Sequence, residues 1–279
     1  FPHLCMKVYY FCTYIFLFFS YQSLFFKLTD LEYGICHLGI IPMRKENSHQ
    51  SEMVSQLLYG ECYKIVEKRK NWVKIRLEWD GYEGWIDQNQ QNKISRERFD
   101  KITQSTLKIS IDLVNYITTK ENLLFPVLIG SDLRGLKTLR HRFEGEFERP
   151  KKSKKSLIST AYLFLNAPYL WGGKTLLGID CSAFTQMVYK INGVKLSRDA
   201  DQQSLQGQTL SFIEESEAGD LAFFDNAEGK ITHVGLLLEN HHIIHASGTV
   251  RIDRIDQSGI FNVETQSHSH KLRFIKKMM

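Results

Sequence analysis

Hydrophobic and polar positions change their rhythm along the chain. Between residues 33 and 90, short runs at 34–38, 54–58, 62–66, 72–77 and 82–86 carry the apolar side chains. In 72–77, Trp72, Lys74 and Arg76 take one side while Val73, Ile75 and Leu77 take the other. A period of two marks a strand with one buried face. Tyr59-Gly60-Glu61 and Asp80-Gly81 fall between runs, where glycine supports a tight turn. The pattern predicts a small antiparallel barrel over 33–90. Residues 91–152 are less regular, with one strand expected at 124–129 and glycines at Gly130, Gly135 and Gly145. They read as a linker or as a degenerate second barrel.

A third unit, 153–279, opens with a helical period: Leu157, Ile158, Ala161 and Leu165 recur every three to four positions until Asn166-Ala167-Pro168 stops them. Gly172-Gly173 and Gly178 then loop to Asp180-Cys181-Ser182, and a second helix is expected from 182 to about 190, with Phe184, Met187 and Val188 on one face. Strands follow at 220–224, 233–238, 242–246 and 272–275. Helices followed by a run of strands make an α+β fold, helices packed on an antiparallel sheet.

Composition narrows the picture. At 279 residues and 43% hydrophobic, the chain is long enough for about two domains of 100–200 residues. The net charge of +5 is spread among interspersed acids, and Lys151-Lys152-Ser153-Lys154-Lys155 reads as a solvated linker, so no nucleic-acid partner is expected. Cys5, Cys12, Cys36, Cys62 and Cys181 are odd in number and contain no CxxC, which indicates neither a disulfide framework nor a zinc–thiolate site. Segment 1–31 is aromatic and nearly uncharged from Val8 to Phe26. It fits a signal-peptide core, a short membrane anchor, or residues outside the working protein. Membrane contact is expected only if that segment is real. A reactive thiol survives more readily in a reducing cytoplasm, so a cytoplasmic location is expected, with export through 1–31 as the alternative.

That thiol is Cys181, where a glycine-bearing loop enters a helix. A helix N-terminus lowers a thiol pKa and offers free N–H groups to an oxyanion. His233 begins one strand and His245 lies in the next. With the turn centred on Glu239 they stand opposite, on one face, with Cβ atoms about 4.5–5.5 Å apart. One imidazole then takes the thiol proton and the other holds the first in place. A metal site at His241, His242 and His245 is disfavoured, because in a strand His241 and His245 stand about 13 Å apart. His268 and His270 read as tail or strand edge. No cofactor is expected.

Two resemblances follow from these residues. Leu57-Leu58-Tyr59-Gly60-Glu61, Asn71-Trp72-Val73-Lys74-Ile75 and Gly81-Tyr82-Glu83-Gly84-Trp85-Ile86 resemble a bacterial SH3-like domain. Asn166 to Gly173, Gly178-Ile179-Asp180-Cys181-Ser182, Ala218-Gly219-Asp220-Leu221, Thr232-His233-Val234-Gly235 and Ile244-His245-Ala246-Ser247 are similar to the NlpC/p60 cysteine peptidases, a papain-like family. The likeness implies Cys181 as nucleophile, His233 as base and His245 as third member. Ala183 stands where the family usually has glycine. The pair of domains resembles γ-D-glutamyl-L-diamino acid endopeptidases acting on peptidoglycan peptides with a free N-terminal L-alanine. This implies that Tyr169, Asp180 and Ser182 bind the substrate amine, joined by Glu61 and Tyr82 of the barrel, with Glu83 in place of Glu61 as the substitute. An amidase or acyltransferase of other specificity, or a peptidoglycan-binding module, is the alternative function.

Overall fold

The computed structural model of the chain describes residues 32–150 and 152–279. Segment 1–31, with its three readings, lies outside them. Among the described residues no helix is long and apolar enough to cross a membrane.

The first unit is a barrel-like sheet of β1 (Glu32–Ile35), β2 (Ile40–Arg44), β3 (Met53–Leu58), β4 (Cys62–Arg69), β5 (Trp72–Leu77), β6 (Glu83–Asp87) and β7 (Lys93–Ile94), in the order β3-β2-β6-β5-β4-β1-β7. In β5 the period of two holds: Val73, Ile75 and Leu77 enter a core with Ile41, Met43, Leu57 and Ile86, while Arg76 is exposed. β1 ends three residues earlier than the apolar run suggests. Cys36 leaves the ladder, its N–H donating to the Glu61 carbonyl. β2 was not anticipated, since Pro42 interrupts its run of donors.

Residues 91–150 are ordered. Helix α1 (Arg96–Thr103), capped by Ser95, packs Phe99 and Ile102 against Tyr33 and Ile35. Strands β8 (Val114–Thr118), β9 (Leu124–Leu128) and β10 (Arg142–Phe143) form a small sheet whose Ile117 and Val127 cover the barrel's Tyr59.

In the third unit α2 (Lys154–Tyr162) and α3 (Cys181–Ile191) lie against a seven-stranded antiparallel sheet. Its strands are β11 (Gln208–Leu210), β12 (Leu221–Asp225), β13 (Ile231–Leu238), β14 (His242–Ser247), β15 (Thr249–Ile255), β16 (Gly259–Asn262) and β17 (Ser267–Lys277). β17 pairs with β12 and also with β16, so β12 to β17 close on themselves. Alternate residues therefore face two cores. Phe223, Val234, Leu236 and Ile244 pack on α3, whereas Phe224, Leu237, Ile243 and Ile255 fill the inside. The basic run 151–155 is only partly linker: Ser153 caps α2, and Lys154 bonds Glu217 at 2.5 Å and Asp220 at 3.4 Å.

Candidate active site

Asp180 caps α3, its Oδ1 accepting from the Ala183 N–H at 2.8 Å, which places Cys181 at the first helical position. Every residue of α3 is buried, so the helix is fixed and its N-terminus meets the sheet at β13. The β13–β14 ladder ends at Gly235–His245. The Val234 amide beyond it acts on the Cys181 thiol, and His233 is the residue that precedes it in β13.

His233 does not stand directly opposite His245. The turn centres on Asn240, with Asn240 and His241 in the left-handed region, and pairs Leu238 with His242 and Gly235 with His245. His233 is therefore a diagonal neighbour of His245. Both still share one face, because the offset remains even. Gly235 makes the approach feasible: a Cβ there would lie 2.9 Å from the His245 Cβ and 2.6 Å from the Ile243 Cδ1. His233 Nε2 lies 2.8 Å from His245 Nδ1, and His245 Nε2 lies 3.0 Å from Asp253 Oδ2. Arg251 grips both Asp253 oxygens, Nε to Oδ2 at 2.7 Å and Nη2 to Oδ1 at 2.9 Å. The His270 ring stacks on His233 at 4.1 Å between centroids, tilted 27°. His245 is thus committed within this row, while His241 belongs to the turn, and the two do not converge on a common point.

Burial and then the Asp180 charge push the Cys181 thiol up to about 12, although the Val234 and Ser182 amides and Arg198 oppose this. The lowering expected from the helix N-terminus acts through the Ser182 amide, and burial outweighs it. Burial, helped by His245 and His270, holds His233 well below the ordinary imidazole value.

Cys181 opens on a cleft of about 680 Å³ between the barrel and the third unit. Tyr82, Asp180 and Ser182 line it, and Tyr169 stands near, its hydroxyl raised to about 12 by burial and then by Cys181 and Asp180. Asp180 is already committed, however. Arg198 donates to it twice, at 3.0 and 2.6 Å, and the Ser182 hydroxyl and Gly172 N–H at 3.2 and 2.9 Å. Tyr82 donates its hydroxyl to Asp199 Oδ1 at 3.3 Å. Glu83 lines the cleft but is tied to Lys74 and Arg76 at 3.0 and 2.6 Å.

Glu61 is not brought to the cleft. It lies under the junction of the two units, 4% exposed, where Lys174 and Lys190 reach its Oε1 at 2.9 and 2.6 Å and the Leu58 N–H reaches Oε2 at 2.9 Å. Its neighbours along the junction are Trp171 Nε1 to Glu52 at 2.7 Å, Arg198 Nε to Ser55 at 3.0 Å and Gln186 Nε2 to Asp80 at 2.8 Å. These contacts hold the 171–174 loop and α3 against the barrel.

Arg198, Asp199 and Asp253 escaped the sequence reading, and His270, read there as tail or strand edge, instead lies in β17 with its ring against His233. Asp253 lies in β15, whose Val250, Ile252 and Arg251, Asp253 alternation was the available signal. Arg198 and Asp199 come from an irregular loop before a four-residue helix, with no pattern to mark them.

Comparison with known proteins gives the family and the fold. The NlpC/P60 family model matches residues 166–268, and that of the bacterial dipeptidyl-peptidase Sh3 domain matches 43–90. The γ-D-glutamyl-L-lysine dipeptidyl-peptidase of Bacillus subtilis (strain 168) is 30% identical over 218 residues, 70% of this chain and 72% of that one. The protein of the same name from Bacillus cereus is 27% identical over 232 residues, 71% and 68% of the two chains. A crystal structure of an NlpC/P60 family protein from B. cereus superposes with a TM-score of 0.73 over 88% of this chain and 99% of that one, at 19% identity, a likeness of fold.

Proposed function

The chain belongs to the NlpC/P60 family, and from that premise we propose that it is a cysteine endopeptidase cutting the γ-D-glutamyl–diamino acid bond of peptidoglycan-derived peptides with a free N-terminal L-alanine. The observation that carries this is the Cys181 thiol opening on a cleft walled by the SH3-like barrel, with the buried row His233, His245, Asp253 starting one residue before Val234, whose amide acts on that thiol.

Cys181 gives its proton to His233 and its sulfur attacks the γ-carbonyl carbon, with N–H groups at the start of α3 facing the developing oxyanion. The tetrahedral intermediate collapses as the diamino acid leaves, carrying the proton from His233. Water, deprotonated by the same imidazole, then attacks the thioester and restores the thiol.

Amine recognition is assigned to the inner end of the cleft, with Asp199 at its centre. Five carboxylates line the cleft (Glu52, Glu83, Asp180, Asp199, Asp201) against three lysines (Lys45, Lys74, Lys230). Asp180 is balanced by Arg198, and Glu52 and Glu83 by lysine or arginine. Asp199 is half-buried with Tyr82 as its side-chain partner, and burial raises its carboxyl. An ammonium placed beside Asp199, where the Arg198 charge already acts on it, gains a charge-assisted hydrogen bond. Asp180 and Ser182 line the same cleft, and Tyr169 stands near them.

The test is release of lysine or diaminopimelate from L-Ala-γ-D-Glu-diamino acid tripeptides. Cys181→Ala is expected to abolish it while the far-ultraviolet spectrum stays unchanged; equal release by that variant refutes the assignment.

A further inference from the structure

We infer that Asp253 is a positioning residue that sets the tautomers of two successive imidazoles, leaving the lone pair for the Cys181 proton on Nδ1 of His233. This rests on the reading of Cys181 and His233 as nucleophile and base.

The row runs diagonally across three strands by one repeated offset. His245 pairs with Gly235, two residues from His233, and with Arg251, two residues from Asp253. Even offsets keep all of them on one face. Asp253 is 3% exposed, and burial alone would raise its carboxyl. Hydrogen bonds from His245 and Arg251 outweigh that and hold it below the ordinary carboxylate range. An ionised carboxylate only accepts, so the His245 nitrogen facing it, Nε2 at 3.0 Å, must carry hydrogen. Taken as an imidazole with a single N–H, His245 then presents Nδ1 as an acceptor. Its partner at 2.8 Å, His233 Nε2, must then donate. The one unprotonated nitrogen of His233 is Nδ1.

Burial makes this binding. His233 and His245 are 6% and 1% exposed, and water has little access to satisfy a wrong tautomer. His270, stacked on His233, holds the ring against turning over. When the S–H bond breaks, the proton passes to His233 Nδ1. The imidazolium still donates through Nε2, and Asp253 takes no proton.

Asp253→Asn keeps the size but offers an N–H to His245 Nε2, reversing both tautomers. Three measurements bear on it. Tripeptide kcat should fall about 100-fold or more with KM within about threefold, as for a wrong-tautomer base. Iodoacetamide alkylation of Cys181 near neutral pH, which needs no peptide, should slow in parallel. In the wild-type protein labelled with nitrogen-15 histidine, both His233 and His245 should carry hydrogen on Nε2. Hydrogen on His233 Nδ1, or an Asn variant that alkylates at the wild-type rate, overturns the inference. If the wild type ignores the tripeptide while alkylation and spectra behave as stated, the substrate reading fails and the role of Asp253 stands.

Discussion

Replacing Glu61 by glutamine separates two accounts of that residue. The change keeps the shape but leaves Lys174 and Lys190, each no more than 2% exposed at the side chain, facing each other across a neutral amide. Burial alone would raise the Glu61 carboxyl. Lys174 and Lys190 outweigh it and hold the group at about 2, against an ordinary 4.5. That difference corresponds to roughly 3 kcal/mol of stability at about 1.4 kcal/mol per pH unit. Breaking a buried pair by removing one partner typically costs ~3–5 kcal/mol, which agrees. At ~2–4 °C per kcal/mol for domains of this size, Glu61→Gln should lower Tm by about 6–12 °C. Because the folded carboxyl is depressed, its contribution is complete above about 4.5 and lost as pH falls toward 2, so the gap between wild type and variant should close in acid. Calorimetry from pH 7 to 3 checks both magnitude and trend. A Tm within about 1 °C of wild type at pH 7 refutes the ionic-clamp account. If that came with a raised KM for free-amine peptides only, Glu61 would instead be an amine ligand.

Two further substitutions probe the cleft and the row. Asp199→Asn should raise KM for the free-amine tripeptide about tenfold or more, the scale of a charged hydrogen bond, and leave an N-acetylated peptide's slow cleavage unchanged; equal effects on both peptides rule out amine recognition at Asp199. Gly235→Ala inserts a methyl 2.9 Å from the His245 Cβ. Since a misplacement of about 1 Å can cost on the order of 100-fold, kcat should fall at least tenfold, with KM little changed; an unaltered kcat shows that His245 needs no such clearance.

Local pattern carried much of the fold. Short apolar runs located five of the barrel's strands in whole or in part, and the helix beginning near Cys181 and the paired histidine strands followed from residues close in sequence. The hairpin face was legible although its centre was placed one residue early, because a shift of one in the turn changes the pairing by two and leaves parity intact. β2 was hidden by Pro42, and β15 and β16 by their mixed polar composition.

By itself the sequence determined the family, the two domains, the thiol and the two imidazoles, since each is written in contiguous residues whose spacing obeys helix or strand geometry. Only the tertiary structure decided the ionic state and the partners. The Cys181 thiol is pushed up because burial outweighs the amides at the helix terminus. Glu61 is a clamp because Lys174 and Lys190 come to it from 113 and 129 residues away. Asp253 enters the row because the sheet closes around it. Electrostatic roles depend on distance and solvent exclusion in three dimensions, and neither is a property of a local run of residues.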